Sequence, residues 1–131
     1  MYLWIIFLSL WGAIYNIFSK NDEPLKARTI GIISITTVGF LLFLLLTSNP
    51  FETILPLPPE NGADINPVLQ DPLLAIHPPT LYLGYVGFVI AFGQALAFLI
   101  EGDSSINWEK QVRFWSIISW SFLTLGFLRQ L

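Results

Sequence analysis

LYLGYVGFVIAFGQALAFLI, residues 81–100, runs for twenty positions without a charged side chain, and Gln94 is its one strongly polar residue. An α-helix rises about 1.5 Å per residue, so this stretch covers the roughly 30 Å of a bilayer's hydrocarbon core. A Lys or Arg at the centre of such a helix costs about 2.5–3.5 kcal/mol on insertion scales, so a charge-free window of this length is informative. Three more stretches share the pattern: residues 2–18, residues 29–48 with the run GFLLFLLL at 39–46, and residues 114–129, closed by Arg129. The reading is an all-α, polytopic integral membrane protein: one membrane domain over residues 1–131, with about four transmembrane helices.

Composition agrees. Of the 131 residues, 54% are hydrophobic and 11% charged, whereas a soluble domain carries about 25% charged residues. The net charge of −3 is dispersed, with no basic patch to grip nucleic acid. Cysteine is absent, which excludes disulfides, zinc-thiolate sites, iron–sulfur clusters and a covalently attached c-type haem. Metal or haem chemistry must therefore rest on the single histidine, His77, on carboxylates, or on ligands from a partner. The first apolar stretch lacks the basic start and small-residue cleavage site of a signal peptide and carries Trp4, Trp11 and Tyr15, so it reads as a retained helix.

Lys and Arg set the orientation. Residues 19–28 hold Lys20, Lys26 and Arg28, and residues 101–113 hold Lys110 and Arg113. The connection between helices two and three, residues 49–80, has no basic residue and carries Glu52, Glu60, Asp64 and Asp71. The basic connections are expected on the cytoplasmic or matrix side and the 49–80 loop on the outer side. Arg129 alone argues the other way.

The outer loop contains eight of the nine prolines, interleaved with large apolar residues such as Phe51, Leu55 and Leu69. Prolines stiffen the backbone and remove donors, so the loop is expected to pack over the outer surface. Within DPLLAIHPP, residues 71–79, Asp71 suits an N-cap and Pro72 a first helical position, predicting one short turn through Ile76. His77 precedes a proline and is expected in extended geometry. Pro78 and Pro79 would then lead into the third helix. A lone histidine so placed is either a hydrogen-bonding or capping residue or a ligand, and composition does not choose between them.

Tyr82 and Tyr85 suit an aromatic belt or packing against a haem. Gly87, Ala91 and Ala95 form a small-residue stripe for close helix packing. Gln94 predicts an interhelical hydrogen bond, with a quinone contact as the alternative. Asp71 is a candidate for fixing the His77 tautomer. Trp4, Trp108 and Trp115 read as interfacial anchors.

Three runs, NPVLQDPLLAIHPPTLYLGYVGF at 66–88, LLFLLLTSNPF at 41–51 and WSFLTLG at 120–126, resemble the CcmF family of cytochrome c maturation proteins in order and spacing. The resemblance covers nearly the whole chain. It implies that His77 is an axial ligand to haem iron on the outer face. The cofactor it implies is a non-covalent b-type haem, resident or in transit. The implied partners are other CcmF fragments carrying the WWD segment and the family's remaining histidines, the haem chaperone CcmE, a CcmH-type thiol protein, apocytochrome c and membrane lipid. The WWD segment and those histidines are absent here, so the resemblance implies a split gene product: part of a multi-subunit haem lyase and not an enzyme alone. Its implied place is the mitochondrial inner membrane, or alternatively a bacterial inner membrane. The rival expectations are a non-catalytic structural subunit of a larger assembly and the related haem lyase for nitrite reductase.

Overall fold

A computed structural model describes residues 2–20, 23–47, 49, 72–102 and 108–128. All regular structure among them is helical: α1 Tyr2–Phe18, α2 Glu23–Thr47, α3 Pro72–Glu101 and α4 Trp108–Leu128. α2 and α3 are long and apolar enough to cross a membrane, and α1 is a shorter apolar helix of 17 residues.

The helices are longer than the apolar windows suggest. α2 begins at Glu23 and not near 29, because Leu25, Lys26, Ala27 and Arg28 are good helix formers that hydropathy alone excludes. For the same reason α4 starts at Trp108, six residues before the apolar stretch. α3 is the larger correction. It starts at Pro72, so residues 72–80 are helix and not the end of the loop, and His77, Pro78 and Pro79 lie inside it. The bias of a pre-proline residue toward extended geometry is overridden here. Pro72 favours a helix start, and the turn is tied down by Thr80 Oγ1 donating to the Ile76 carbonyl at 2.9 Å. Residues 50–71 of the loop, with the Asp71 cap, lie outside the described residues.

α3 is the hub of the bundle, packing against α1, α2 and α4, while α1 also packs against α2. The core joins Leu8, Trp11 and Tyr15 of α1 with Ile33 of α2, Val86 and Ile90 of α3, and Trp115 of α4. Trp115 is 5% exposed and meets Trp11 and Tyr15 edge-on at 6.3 and 5.7 Å, so it is a core residue and not an interfacial anchor. The indole of Trp11 donates to the Leu83 carbonyl at 2.9 Å.

Glycine sets the α3–α4 approach. A Cβ on Gly84 would lie 2.7 Å from the backbone nitrogen of Leu123, and one on Gly126 would lie 2.6 Å from Leu81 Cδ2. Gly87 faces Ser119 and Trp11 equally closely. The small-residue line therefore begins a turn earlier than the predicted Gly87–Ala91–Ala95 stripe and is answered by Gly126 on α4. The predicted interhelical bond of Gln94 is present: Nε2 donates to Gln111 Oε1 at 3.3 Å from a side chain that is 3% exposed.

The outward faces are apolar. Leu46, Leu99, Ile17 and Ile35 are each more than 70% exposed. Hydroxyls along α2 and α4 turn back on their own helices: Thr36, Thr37, Ser121 and Thr124 each donate to the carbonyl four residues earlier. That bonding leaves few donors in need of water, and it suits a lipid-facing exterior.

Candidate functional site

α3 runs antiparallel to α2 and α4 and parallel to α1, which sorts the two ends of the bundle. One end holds the basic connections, and an ion pair between Arg28 and Glu101 joins the start of α2 to the end of α3. The other end brings together the start of α3, the end of α4 and the start of α1. His77 is at this second end.

The His77 ring is half-buried, and its Nδ1 lies 2.9 Å from the carbonyl oxygen of Gly126, across 49 residues of sequence. A carbonyl can only accept, so Nδ1 carries the proton and donates. In the neutral ring the lone pair then belongs to Nε2. The bond ties the start of α3 to the last described turn of α4. The absence of a side chain at Gly126 lets α3 come close enough for the bond to form.

The hydrogen-bonding and ligand readings of His77 are thus compatible. A bond from Nδ1–H to a carbonyl is the arrangement that fixes a ligating imidazole's tautomer and raises the basicity of its other nitrogen. The sequence offers Asp71 for this role. The carbonyl of Gly126 fills it, and no motif in the sequence announces a backbone acceptor on a distant helix.

Tyr82 occupies another face of α3, and Tyr85, about 80° around, lies two turns along the helix from His77. At about 100° per residue, Tyr82 lies roughly 140° around the helix from His77. Its ring packs on Trp4 at 5.6 Å, and Trp4 in turn packs on Phe40 at 5.4 Å. Tyr85 is half exposed. Among the described residues, no three His, Asp or Glu side chains converge. A bare ion would lack donors here, whereas a porphyrin brings four nitrogens of its own and asks the protein for one or two axial ligands. The residues present fit that requirement.

Fold and site together define a helical bundle with a lipid-compatible exterior that presents one imidazole, fixed in tautomer, at the end away from its basic connections. The chain belongs to the cytochrome c assembly protein family, whose family model matches residues 1–129. It is 46% identical over 125 residues to the cytochrome c-type biogenesis protein CcmF of Escherichia coli, and 44% over 125 residues to that of Pseudomonas aeruginosa. It is 48% identical over 127 residues to the biogenesis protein CycK of Rhizobium meliloti. These matches cover 95–96% of the chain and 19% of each relative, so the chain spans about a fifth of the length of the proteins it resembles. No solved structure matches it.

Proposed function

We propose that this chain is the haem-positioning part of a membrane-embedded cytochrome c haem lyase, with all four helices crossing the inner membrane and His77 at the outer face. The carrying observation is the 2.9 Å contact of His77 Nδ1 with the Gly126 carbonyl, which fixes the ring's tautomer and orientation. The exposed apolar surface of all four helices supports the membrane placement. The five basic residues gathered at the opposite end support the orientation. The relatives matched are bacterial, and the same orientation suits a mitochondrial inner membrane or a bacterial one.

The chain's own contribution is positional. Gly126 holds the His77 ring by its carbonyl, Pro78 and Pro79 restrict the backbone beneath the ring, and the tight Gly84–Leu123 contact keeps α3 and α4 in register. Pre-organising the imidazole lowers the entropy lost when it takes up an axial position. A bound haem supplies the vinyl groups to which client cysteine thiols add. His77 would supply one ligand to the iron, so further ligands, the porphyrin's cover and the client's thiols would come from partners in the assembly. We place CcmE, a CcmH-type protein and apocytochrome c among those partners.

The test is the haem content and optical spectrum of the purified assembly carrying His77→Ala. Loss of most haem absorbance together with loss of cytochrome c maturation is expected. Unchanged haem and unchanged maturation would remove the ligand role and leave a structural subunit. A biogenesis protein named NrfE, from Haemophilus influenzae, is 43% identical over 127 residues, so a lyase with a different cytochrome client is the nearest variant of this reading.

A further inference from the structure

Two cavities run into one another between α1 and α4. The larger, about 420 Å³, is walled by apolar side chains that include Leu10, Ile14, Ile118 and Phe122. The smaller, about 350 Å³, lies at the end with the basic connections and is lined by Lys20, Lys110, Ser19 and Gln111. Phe18, Phe114 and Trp115 wall both, so the two form one groove with a cationic mouth and an apolar run.

The groove exists because α1 and α4 touch through ring edges and not through their backbones. The Trp11–Phe122 and Trp11–Trp115 contacts, at 6.0 and 6.3 Å, hold the two helices apart. Close helix–helix seams in membranes are built on small residues, as the α3–α4 seam is at Gly84, Gly87 and Gly126. The α1–α4 groove is instead walled by Leu, Ile, Phe and Trp, which suits a flexible hydrocarbon chain better than another helix. Its two lysines stand where a headgroup phosphate would lie, and basic pockets between helices on the cytoplasmic or matrix side favour anionic lipids.

We propose that this groove binds one anionic phospholipid, with its phosphate between Lys20 and Lys110 and a tail along Ile14, Phe114 and Ile118. The inference rests on the membrane placement given above and is independent of haem. By seating a lipid between α1 and α4, the site would steady the α4 helix that carries Gly126.

Trp11 and Trp115 border the groove and report on it. The full chain, in its assembly, is reconstituted into vesicles containing phospholipids brominated in the tail, either phosphatidylglycerol or phosphatidylcholine. At low ionic strength each lysine near a headgroup contributes about fivefold, so the pair predicts up to about 30-fold preference for the anionic lipid. The expected result is excess tryptophan quenching by the anionic lipid that disappears in the Lys20→Gln/Lys110→Gln double variant. Both lysines are exposed, and unchanged helical content is the check on folding. Equal quenching by the two lipids overturns the site while leaving the membrane placement intact, and no quenching by either overturns both. The chain lacks cysteine, so Ile14→Cys carries a photo-crosslinker at a single point. Adducts with lipid are expected, and adducts with a partner polypeptide would show that a protein segment fills the groove.

Discussion

Replacing Gly84 by alanine attacks the contact on which the position of His77 depends. The new methyl carbon would sit 2.7 Å from the Leu123 backbone nitrogen and 3.0 Å from the Ser119 carbonyl oxygen, where ordinary contact begins at 3.4 Å. Both are backbone atoms of α4 and cannot swing aside, so the helices must part by about 0.7 Å to restore van der Waals contact. Movement of that size along the line between the helices takes the 2.9 Å His77–Gly126 contact to about 3.6 Å, beyond hydrogen-bond range. Overpacking costs about 1–3 kcal/mol and the lost bond about 0.5–1.5 kcal/mol, so a destabilisation of roughly 2–4 kcal/mol is expected. Gly31→Ala is the matched control. Nothing lies within 4 Å of its Cβ, and helix propensity predicts a gain of up to about 1 kcal/mol. Reversible unfolding in mixed detergent micelles, followed by tryptophan fluorescence, measures both. Haem retained by the assembly should fall in Gly84→Ala and not in Gly31→Ala. Equal stability of the two variants would refute the tight α3–α4 contact, and with it the account of how His77 is held.

Three further outcomes follow from the packing. Gln94 is buried with Oε1 unpaired, so Gln94→Leu should change stability by less than about 1 kcal/mol, whereas Gln111→Leu strands the Gln94 amide and should cost about 1–3 kcal/mol in the same unfolding assay. Trp11→Phe removes the bond to the Leu83 carbonyl and part of a ring that is 3% exposed, a loss of about 1–3 kcal/mol read from the same transition. Breaking the Arg28–Glu101 pair with Arg28→Gln should cost at most about 1 kcal/mol, and the difference from wild type should shrink in high salt, because the Arg28 side chain is 42% exposed.

Much of this architecture is legible in the sequence, for identifiable reasons. Charge-free apolar runs announce helices, and the Gln94 amide, with so few polar residues around it, announces an interhelical bond. The helix ends are less legible, because Lys26, Arg28 and Glu109 are polar yet helix-forming, and a hydropathy window excludes them. The helical turn from Pro72 to Ile76 is legible, but the stretch 77–80 misleads for the opposite reason. Its prolines argue locally for an extended chain, while the packing of α3 on α4 keeps the turn helical. Trp115 follows two residues after Arg113 and so resembles an interfacial anchor, but its position around α4 turns it onto Tyr15 and Trp11. The partner of His77 is the least legible feature of all. A backbone carbonyl carries no residue signature, and its nearness depends on the register of two helices set by Gly84 and Gly126.

The chain has one histidine, so labelling this polypeptide alone with ¹⁵N-histidine, within an otherwise unlabelled assembly, isolates the two nitrogens of His77. Pulsed electron paramagnetic resonance of the ferric haem should then show one strongly coupled ¹⁵N, assigned to Nε2, and one weakly coupled protonated ¹⁵N, assigned to Nδ1. A haem-loaded assembly without ¹⁵N coupling would mean that the iron is held elsewhere and that His77 only bonds α3 to α4.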